Sequence, residues 1–192
     1  LSFLSCVHME FFEEICKLRA ARRIWAKLMH DRYGVKDPRA QQFRVFTSGG
    51  GTTLTAAQPL NNIVRVAYEA LIQALGGVQA IFTMAYDEAY QIPTELSAEI
   101  ALRTQHILAY ETGVTKAVDP LGGSYYVEWL TDRLEQEILR EIEAIETQGG
   151  MVRAIEEGWL QRRVAERALE RKIKIDNKEK IVVGENAFRK QE

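Results

Sequence analysis

The stretch best suited to hold a ligand is Phe43-Arg-Val-Phe-Thr-Ser-Gly-Gly-Gly-Thr-Thr-Leu-Thr55. A β-like run, Phe43 to Thr47, ends in three glycines, and polar residues lead on to Asn61-Asn-Ile-Val-Arg65, the opening of an amphipathic helix. Strand, glycine turn and helix in that order hold ligands at the carboxyl ends of strands in α/β proteins. Glycine there permits positive φ and close approach of backbone to ligand. No Gly-Lys-Ser/Thr follows, so the turn is not a phosphate P-loop, and it is not a G-x-G-x-x-G fingerprint. Asp87 and Glu88 follow the next strand-like run, as general acid–base residues, as acceptors for a ligand, or as a solvated turn. Arg39 is either a surface charge or a phosphate clamp. Ser5, Ser48 and Ser124 sit at strand ends with no histidine placed beside them, which argues against serine hydrolysis. His8, His30 and His106 lack metal-ligand spacing, so no metal site is expected. Lys116 is the one lysine close to a strand, the residue an aldolase or lyase barrel would need.

The elements that position these residues alternate. Leu1 to Val7 reads as a buried strand and Glu10 to Arg32 as a helix with Phe11, Ile15, Leu18, Trp25 and Leu28 in its core stripe. Acidic residues open that helix, basic ones close it, and Gly34 stops it. A helix from Asn61 to Leu75, with Ile63, Val66, Ala70 and Ala74 inward, ends at Gly76-Gly77. A strand over Gln79–Ala85 precedes a helix capped by Thr94 and running to Glu111, with Ile100, Thr104, Ile107 and Leu108 inward. Lys116–Val118 is expected as a fourth strand, and Asp119-Pro-Leu-Gly-Gly123 as a loop-shaping turn. Tyr125–Thr147 and Met151–Lys174 read as two long helices, with a small strand at Ile181–Gly184. Trp25, Trp129 and Trp159 fall on helices as core or interface residues.

Strand starts near positions 2, 44, 80 and 116 recur as βα units do. Parallel pairing follows. Loops of functional character after every strand favour a (β/α) barrel over a flat doubly wound sheet. About four βα units make half of a (β/α)8 TIM-type barrel, here its C-terminal half, over residues 1–124. Residues 125–192 form a helical C-terminal extension of the same domain. Half a barrel leaves two open strand edges, and the chain opens at Leu1 inside a strand; both read as part of a larger assembly.

Composition narrows the class. In 192 residues, 46% hydrophobic and 27% charged content is that of a globular domain with a core. A formal net charge of −2 without runs of one sign points away from nucleic acid and anionic membranes. Apolar runs are too short to span a bilayer. Cys6 and Cys16 form no C-x-x-C, so a reducing cytoplasmic setting is expected.

Several motifs carry a resemblance beyond this. Phe12-Glu-Glu-Ile with Arg19-Ala-Ala-Arg22, Asn61-Asn-Ile-Val-Arg65, Asp87-Glu-Ala89 with Pro93-Thr94, Arg103-Thr-Gln105, Glu111-Thr-Gly113 and Asp119-Pro-Leu-Gly-Gly-Ser-Tyr125 occur in order along the chain. Together they resemble the large subunit of the adenosylcobalamin-dependent acyl-CoA mutases, the methylmalonyl-CoA mutase family. The resemblance implies a barrel threaded by the CoA ester, a separate cobalamin-binding domain over its C-terminal face, and a radical 1,2-rearrangement of a short acyl-CoA of the methylmalonyl/succinyl type. It is similar to the second half of that barrel and implies as partners the N-terminal half, a cobalamin-binding subunit, and a homo- or hetero-oligomer.

Position by position, the resemblance implies that Ser2, Arg39, Phe46 and Gln79 stand at substrate (CoA) contacts. It implies that Ser48, Gly51, Glu88, Ala89 and Gln91 face adenosylcobalamin. The family's tyrosine and histidine beside the reacting carbons, and its Asp-x-His-x-x-Gly motif, have no counterpart in this sequence. Within the matched region, Phe46 and Ser48 replace the histidine and glutamine of His-x-Gln-Thr-x-Gly, and Phe82-Thr-Met84 replaces His-Thr-Asn. Two readings follow: an isomerase part retuned for a less polar acyl group, or a non-catalytic or decayed subunit acting in assembly.

Overall fold

The computed structural model describes residues 1–190. Among them, β1 (Phe3–Val7), β2 (Val45–Gly49) and β3 (Ala80–Phe82) form one parallel sheet in the order β1-β2-β3. Phe3 pairs with Val45, Leu4 with Phe46, Thr47 with Ile81 and Ser48 with Phe82. Parallel neighbours need long crossovers, and α1 (Phe11–Lys27) and α2 (Asn61–Leu75) supply them.

Alternation along the strands divides the sheet into two faces. Val45, Thr47 and Gly49 are buried beneath the helices, whereas Phe46 is exposed and Ser48 half-buried on the other side. The core joins Val7 and Val45 to Ile15 and Leu18 of α1 and Ile72 of α2. At its foot Phe3 stacks on Phe43 at 4.5 Å and meets Trp25 edge-on at 4.9 Å. Leu4 is 72% exposed, so β1 is covered on one face only and not buried on both as its apolar sequence suggested.

The helices follow local chemistry. α1 passes into a π-helical turn over Leu28–Arg32 and stops at Gly34, whose φ is +63°. α2 has the predicted bounds and ends at Gly76. α3 (Glu95–Tyr110) is capped by Thr94, which exchanges hydrogen bonds with Ser97 in a capping box. Ser97 and Ala101 are its buried residues; Ile107, expected inward, is half exposed along an apolar groove that α3 shares with Ile63, Tyr68 and Leu71 of α2.

The expected fourth strand is absent from the described residues. Val114–Lys116 is a 3-10 turn, and Val118, almost fully exposed, has no neighbour with which to build a ladder. α4 (Tyr125–Thr147) has the predicted bounds. The next helix divides at Gly158, whose φ of +70° separates α5 (Met151–Glu156) from α6 (Trp159–Asp176). Ile181–Gly184 contributes one isolated bridge, Val183 to Ala187, and no strand.

Two compact units result, Leu1–Gln136 and a second beginning at Glu137. In the second, Arg163 pairs with Glu141 at 2.7 Å, and the Asn186 amide donates to the Ile175 and Lys180 carbonyls. No helix among the described residues is long and apolar enough to cross a membrane.

Candidate ligand-binding site

β2 runs two residues further than expected, so the first glycine of the turn closes the strand and Gly51–Thr53 forms a single 3-10 turn. None of Gly49, Gly50 and Gly51 has positive φ, so the conformational freedom expected of them is unused. What they supply is space. A Cβ on Gly49 would strike Glu69 Oε2. One on Gly50 would lie 2.6 Å from His8 Cδ2 and 3.0 Å from the Val7 carbonyl oxygen. One on Gly51 would meet only the Met84 methyl, at 3.5 Å. The chain's own packing therefore requires glycine at 49 and 50. At 51 the exposed backbone opens outward.

Beneath the turn lies an unexpected polar stripe. Asn62, Val66, Glu69 and Gln73 share one face of α2 at i, i+4, i+7 and i+11, and all are buried. Each polar member has a defined task. Asn62 accepts the Thr55 N–H at 3.1 Å and donates to the Thr55 and Tyr86 carbonyls at 2.9 and 2.8 Å, joining the loops after β2 and β3. Gln73 Oε1 accepts from Thr47 Oγ1 at 2.9 Å. Glu69 Oε1 is 2.5 Å from Thr53 Oγ1, while its Oε2 is buried without a hydrogen-bond partner. Burial pushes the Glu69 carboxyl up to about 7, against the opposing pull of Thr53, His8 and the Gly50 backbone. The helical spacing of Asn62, Glu69 and Gln73 with Val66 was the signal in the sequence that could have found this stripe.

The loop after β3 is built by its own carboxylates. Asp87 is fully buried; its Oδ2 accepts from Gln91 Nε2 at 2.8 Å and from the Thr94 N–H at 3.3 Å, and its Oδ1 has no partner. Burial pushes the Asp87 carboxyl up, but the hydrogen bonds of Gln91, Ser97 and Thr94 overcome it and hold the group below the usual carboxylate range. Glu88 Oε1 accepts the Ala85 N–H at 2.7 Å. Asp87 is therefore not a solvated turn residue, and Glu88 has one oxygen committed to backbone.

Two further clusters brace these loops. His8 Nδ1 lies 3.3 Å from Glu14 Oε1, and Lys17 pairs with the same carboxylate. Burial raises the Glu14 carboxyl, but His8 and Lys17 together hold it below its ordinary value. Arg19 pairs with Asp119 and, at 2.7 Å, with Glu128 Oε1, which also accepts the Gly123 N–H at 2.9 Å. Asp119 at φ +46° and Gly123 at φ +83° form the tight turn that this pairing holds. Asp119-Pro-Leu-Gly-Gly123 is a shaping device, as expected.

The candidate ligand residues separate along the strands. Ser2 precedes β1, Arg39 lies in an exposed turn before β2, and Gln79 precedes β3, so all three lie on the amino-terminal side of the sheet. The Gln79 carboxamide accepts the Val45 N–H at 2.6 Å, and the Arg39 N–H donates to Asp37 Oδ1 at 2.9 Å. Gly51, Glu88, Ala89 and Gln91 follow the carboxyl ends of β2 and β3. Between the two groups, the face without helices presents the row Leu4, Phe46, Ala80 and the row Cys6, Ser48, Phe82. Ser48 Oγ is 3.4 Å from Cys6 Sγ. Among the described residues no group of three His, Cys, Asp or Glu could hold a metal ion.

The family model for methylmalonyl-CoA mutase matches residues 1–192. The 2-hydroxyisobutanoyl-CoA mutase large subunit of Aquincola tertiaricarbonis is 43% identical over 188 residues, covering 98% of this chain and 34% of that protein. Methylmalonyl-CoA mutase of Cereibacter sphaeroides is 46% identical over 189 residues, 98% of this chain and 26% of the relative. The mitochondrial methylmalonyl-CoA mutase of Homo sapiens is 40% identical over 188 residues, 25% of its length. The chain thus spans from 25% to 34% of the length of these relatives. On the match along its whole length, the chain belongs to the methylmalonyl-CoA mutase family.

Proposed function

We propose that this chain is part of the substrate-binding barrel of a cobalamin-dependent acyl-CoA mutase, an intramolecular transferase. In this reading residues 1–124 are the C-terminal half of a (β/α)8 barrel and residues 125–192 its helical extension. The open edges of β1 and β3 pair with the N-terminal half, and a cobalamin-binding subunit covers the carboxyl ends of the strands. Free Cys6 and Cys16 suit the reducing cytoplasmic setting included in the proposal.

The observation that carries the reading is the division of the candidate residues between the two ends of one parallel sheet. Ser2, Arg39 and Gln79 lie on the amino-terminal side, where this reading has CoA bind, and Gly51, Glu88, Ala89 and Gln91 follow the carboxyl ends, where it has the cofactor bind, with the face without helices between them. A channel along that face would bring the acyl group up to the glycine turn. The open outer side of Gly51 and the Glu88–Gln91 run on the same edge fit the broad face of a large ligand. When bound, adenosylcobalamin supplies the radical that starts the rearrangement. The chain's residues bind CoA, hold the glycine turn against the cofactor and keep water out of the acyl pocket. Phe46 and Phe82 make that pocket apolar and favour a short acyl group less polar than methylmalonyl.

The test is reconstitution with the other barrel half and a cobalamin-binding subunit, assaying isomerisation of short branched acyl-CoAs. Absence of turnover with every candidate, in a demonstrated assembly containing adenosylcobalamin, refutes catalysis. The same Phe46 and Ser48 favour a second reading, a non-catalytic subunit. Introducing Phe46→His with Ser48→Gln separates the two: activity gained marks a decayed site, and activity lost marks a retuned pocket.

A further inference from the structure

The hydrogen count around Thr53 does not close if Glu69 is ionised. Thr53 Oγ1 is 2.5 Å from Glu69 Oε1 and 2.7 Å from the Gly50 carbonyl oxygen, but a hydroxyl carries one hydrogen. Were Glu69 a carboxylate, that hydrogen would have to choose between two acceptors. Its second oxygen would also be a charged, fully buried atom without a partner, an arrangement burial strongly disfavours. A proton on Oε1 resolves both problems. Oε2 then becomes the carbonyl oxygen of a neutral acid, resting against the Gly49 backbone where a side chain would otherwise be.

We infer that Glu69 is held as a neutral acid beneath the glycine turn and positions it, donating its proton to Thr53 Oγ1 so that the Thr53 hydroxyl donates to the Gly50 carbonyl. The relay ties α2 to the residue before Gly51, and so fixes the backbone that the proposed reading sets against the cofactor. Its bearing on catalysis rests on that reading; its existence does not. The value of about 7 toward which burial drives Glu69 places the relay's rupture near neutrality. The titratable groups that face it are His8, from the loop after β1, and Glu14 of α1, which is itself paired with Lys17. From the β3 side Met84 is the neighbour, and it does not titrate.

Two ligand-free measurements on the full assembled protein test the inference, so a failed mutase assay leaves them untouched. The first is infrared difference spectroscopy through a pH titration. A carboxylic-acid carbonyl band that disappears on alkalinisation, and is missing in Glu69→Gln, is expected. The second is hydrogen exchange of the peptide spanning 49–55, corrected for the intrinsic pH dependence. Neutral acid and relay are lost together, so opening of the turn should rise about tenfold between about pH 6 and about pH 8. Glu69→Gln, whose amide can donate permanently, should remain closed throughout, and Thr53→Val should be open throughout. A His8→Gln variant should keep the response. Wild type and Glu69→Gln sharing one profile, the response vanishing in His8→Gln, or absence of the carbonyl band would each overturn the inference.

Discussion

Two glycine-rich turns of the first unit, Gly49-Gly50-Gly51 and Asp119-Pro-Leu-Gly-Gly123, use glycine for different physical reasons. Gly49-Gly50-Gly51 has ordinary backbone angles, and its first two glycines are needed because Glu69 and His8 lie too close for a Cβ. Asp119-Pro-Leu-Gly-Gly123 is the reverse case: at Gly123 no atom would touch a Cβ, but φ is +83°. The first turn is shaped by what is packed under it, the second by its own dihedrals and the Arg19 ion pairs. The first rests on a carboxyl that burial raises toward neutrality, so it responds as pH rises; the second rests on Glu128, which the Gly123 N–H and Arg19 hold below its ordinary value, so it yields only in acid.

The largest expected effect comes from Glu69. Its carboxyl is raised in the folded protein, so the folded state binds the extra proton. Stability from this group is full below the unfolded value of 4.5 and is lost as pH rises to about 7. The loss amounts to about 3 kcal/mol. Urea unfolding against pH should show this slope in the wild type and not in Glu69→Gln. Glu14 and Asp87 act oppositely: their contribution is present above the usual carboxylate range and is lost as acid protonates them.

Next, Gly49→Ala forces a methyl against buried Glu69 and should cost about 2 kcal/mol. Gly123→Ala meets no steric obstacle and should cost about 1 kcal/mol, from the left-handed backbone alone. Equal losses at Gly49 and Gly123 with identical pH profiles would collapse the distinction between the turns. The smallest stability effect belongs to Gly51→Ala, within about 0.5 kcal/mol, because its Cβ meets one methyl at ordinary contact distance. If the turn faces the cofactor, the same variant should nevertheless weaken cofactor capture in the reconstituted enzyme, read by equilibrium binding.

Much of this architecture was legible where punctuation is local. Asn61–Leu75 and Tyr125–Thr147 have the bounds that periodicity and flanking glycines implied, and Thr94 caps α3 as its sequence suggested. What escaped depends on partners distant in sequence. Lys116–Val118 has strand-like residues, but a strand exists only where another pairs with it. The helix after Met151 divides at Gly158 because periodicity continues across a residue whose left-handed angle it does not reveal. Glu69 reads as an ordinary polar position on a helix. Its spacing with Asn62, Val66 and Gln73 hints at burial, but its partners, the Thr53 hydroxyl and the Gly49 backbone, meet it only in the fold. The order of strand, glycines and helix named the glycine turn as a candidate; the atoms under it explain its shape.

The row Cys6, Ser48, Phe82 gives the open sheet face a chemical handle. Cys6 is exposed on that face, whereas Cys16 is fully buried, its thiol pushed up by burial, with Sγ donating to the Val127 carbonyl at 3.4 Å. A thiol-directed reagent should therefore label this chain once, at Cys6. Seating of a partner barrel half, or entry of an acyl-CoA, would be registered as protection of that one sulfur, turning a side chain with no assigned chemistry into a footprint of assembly.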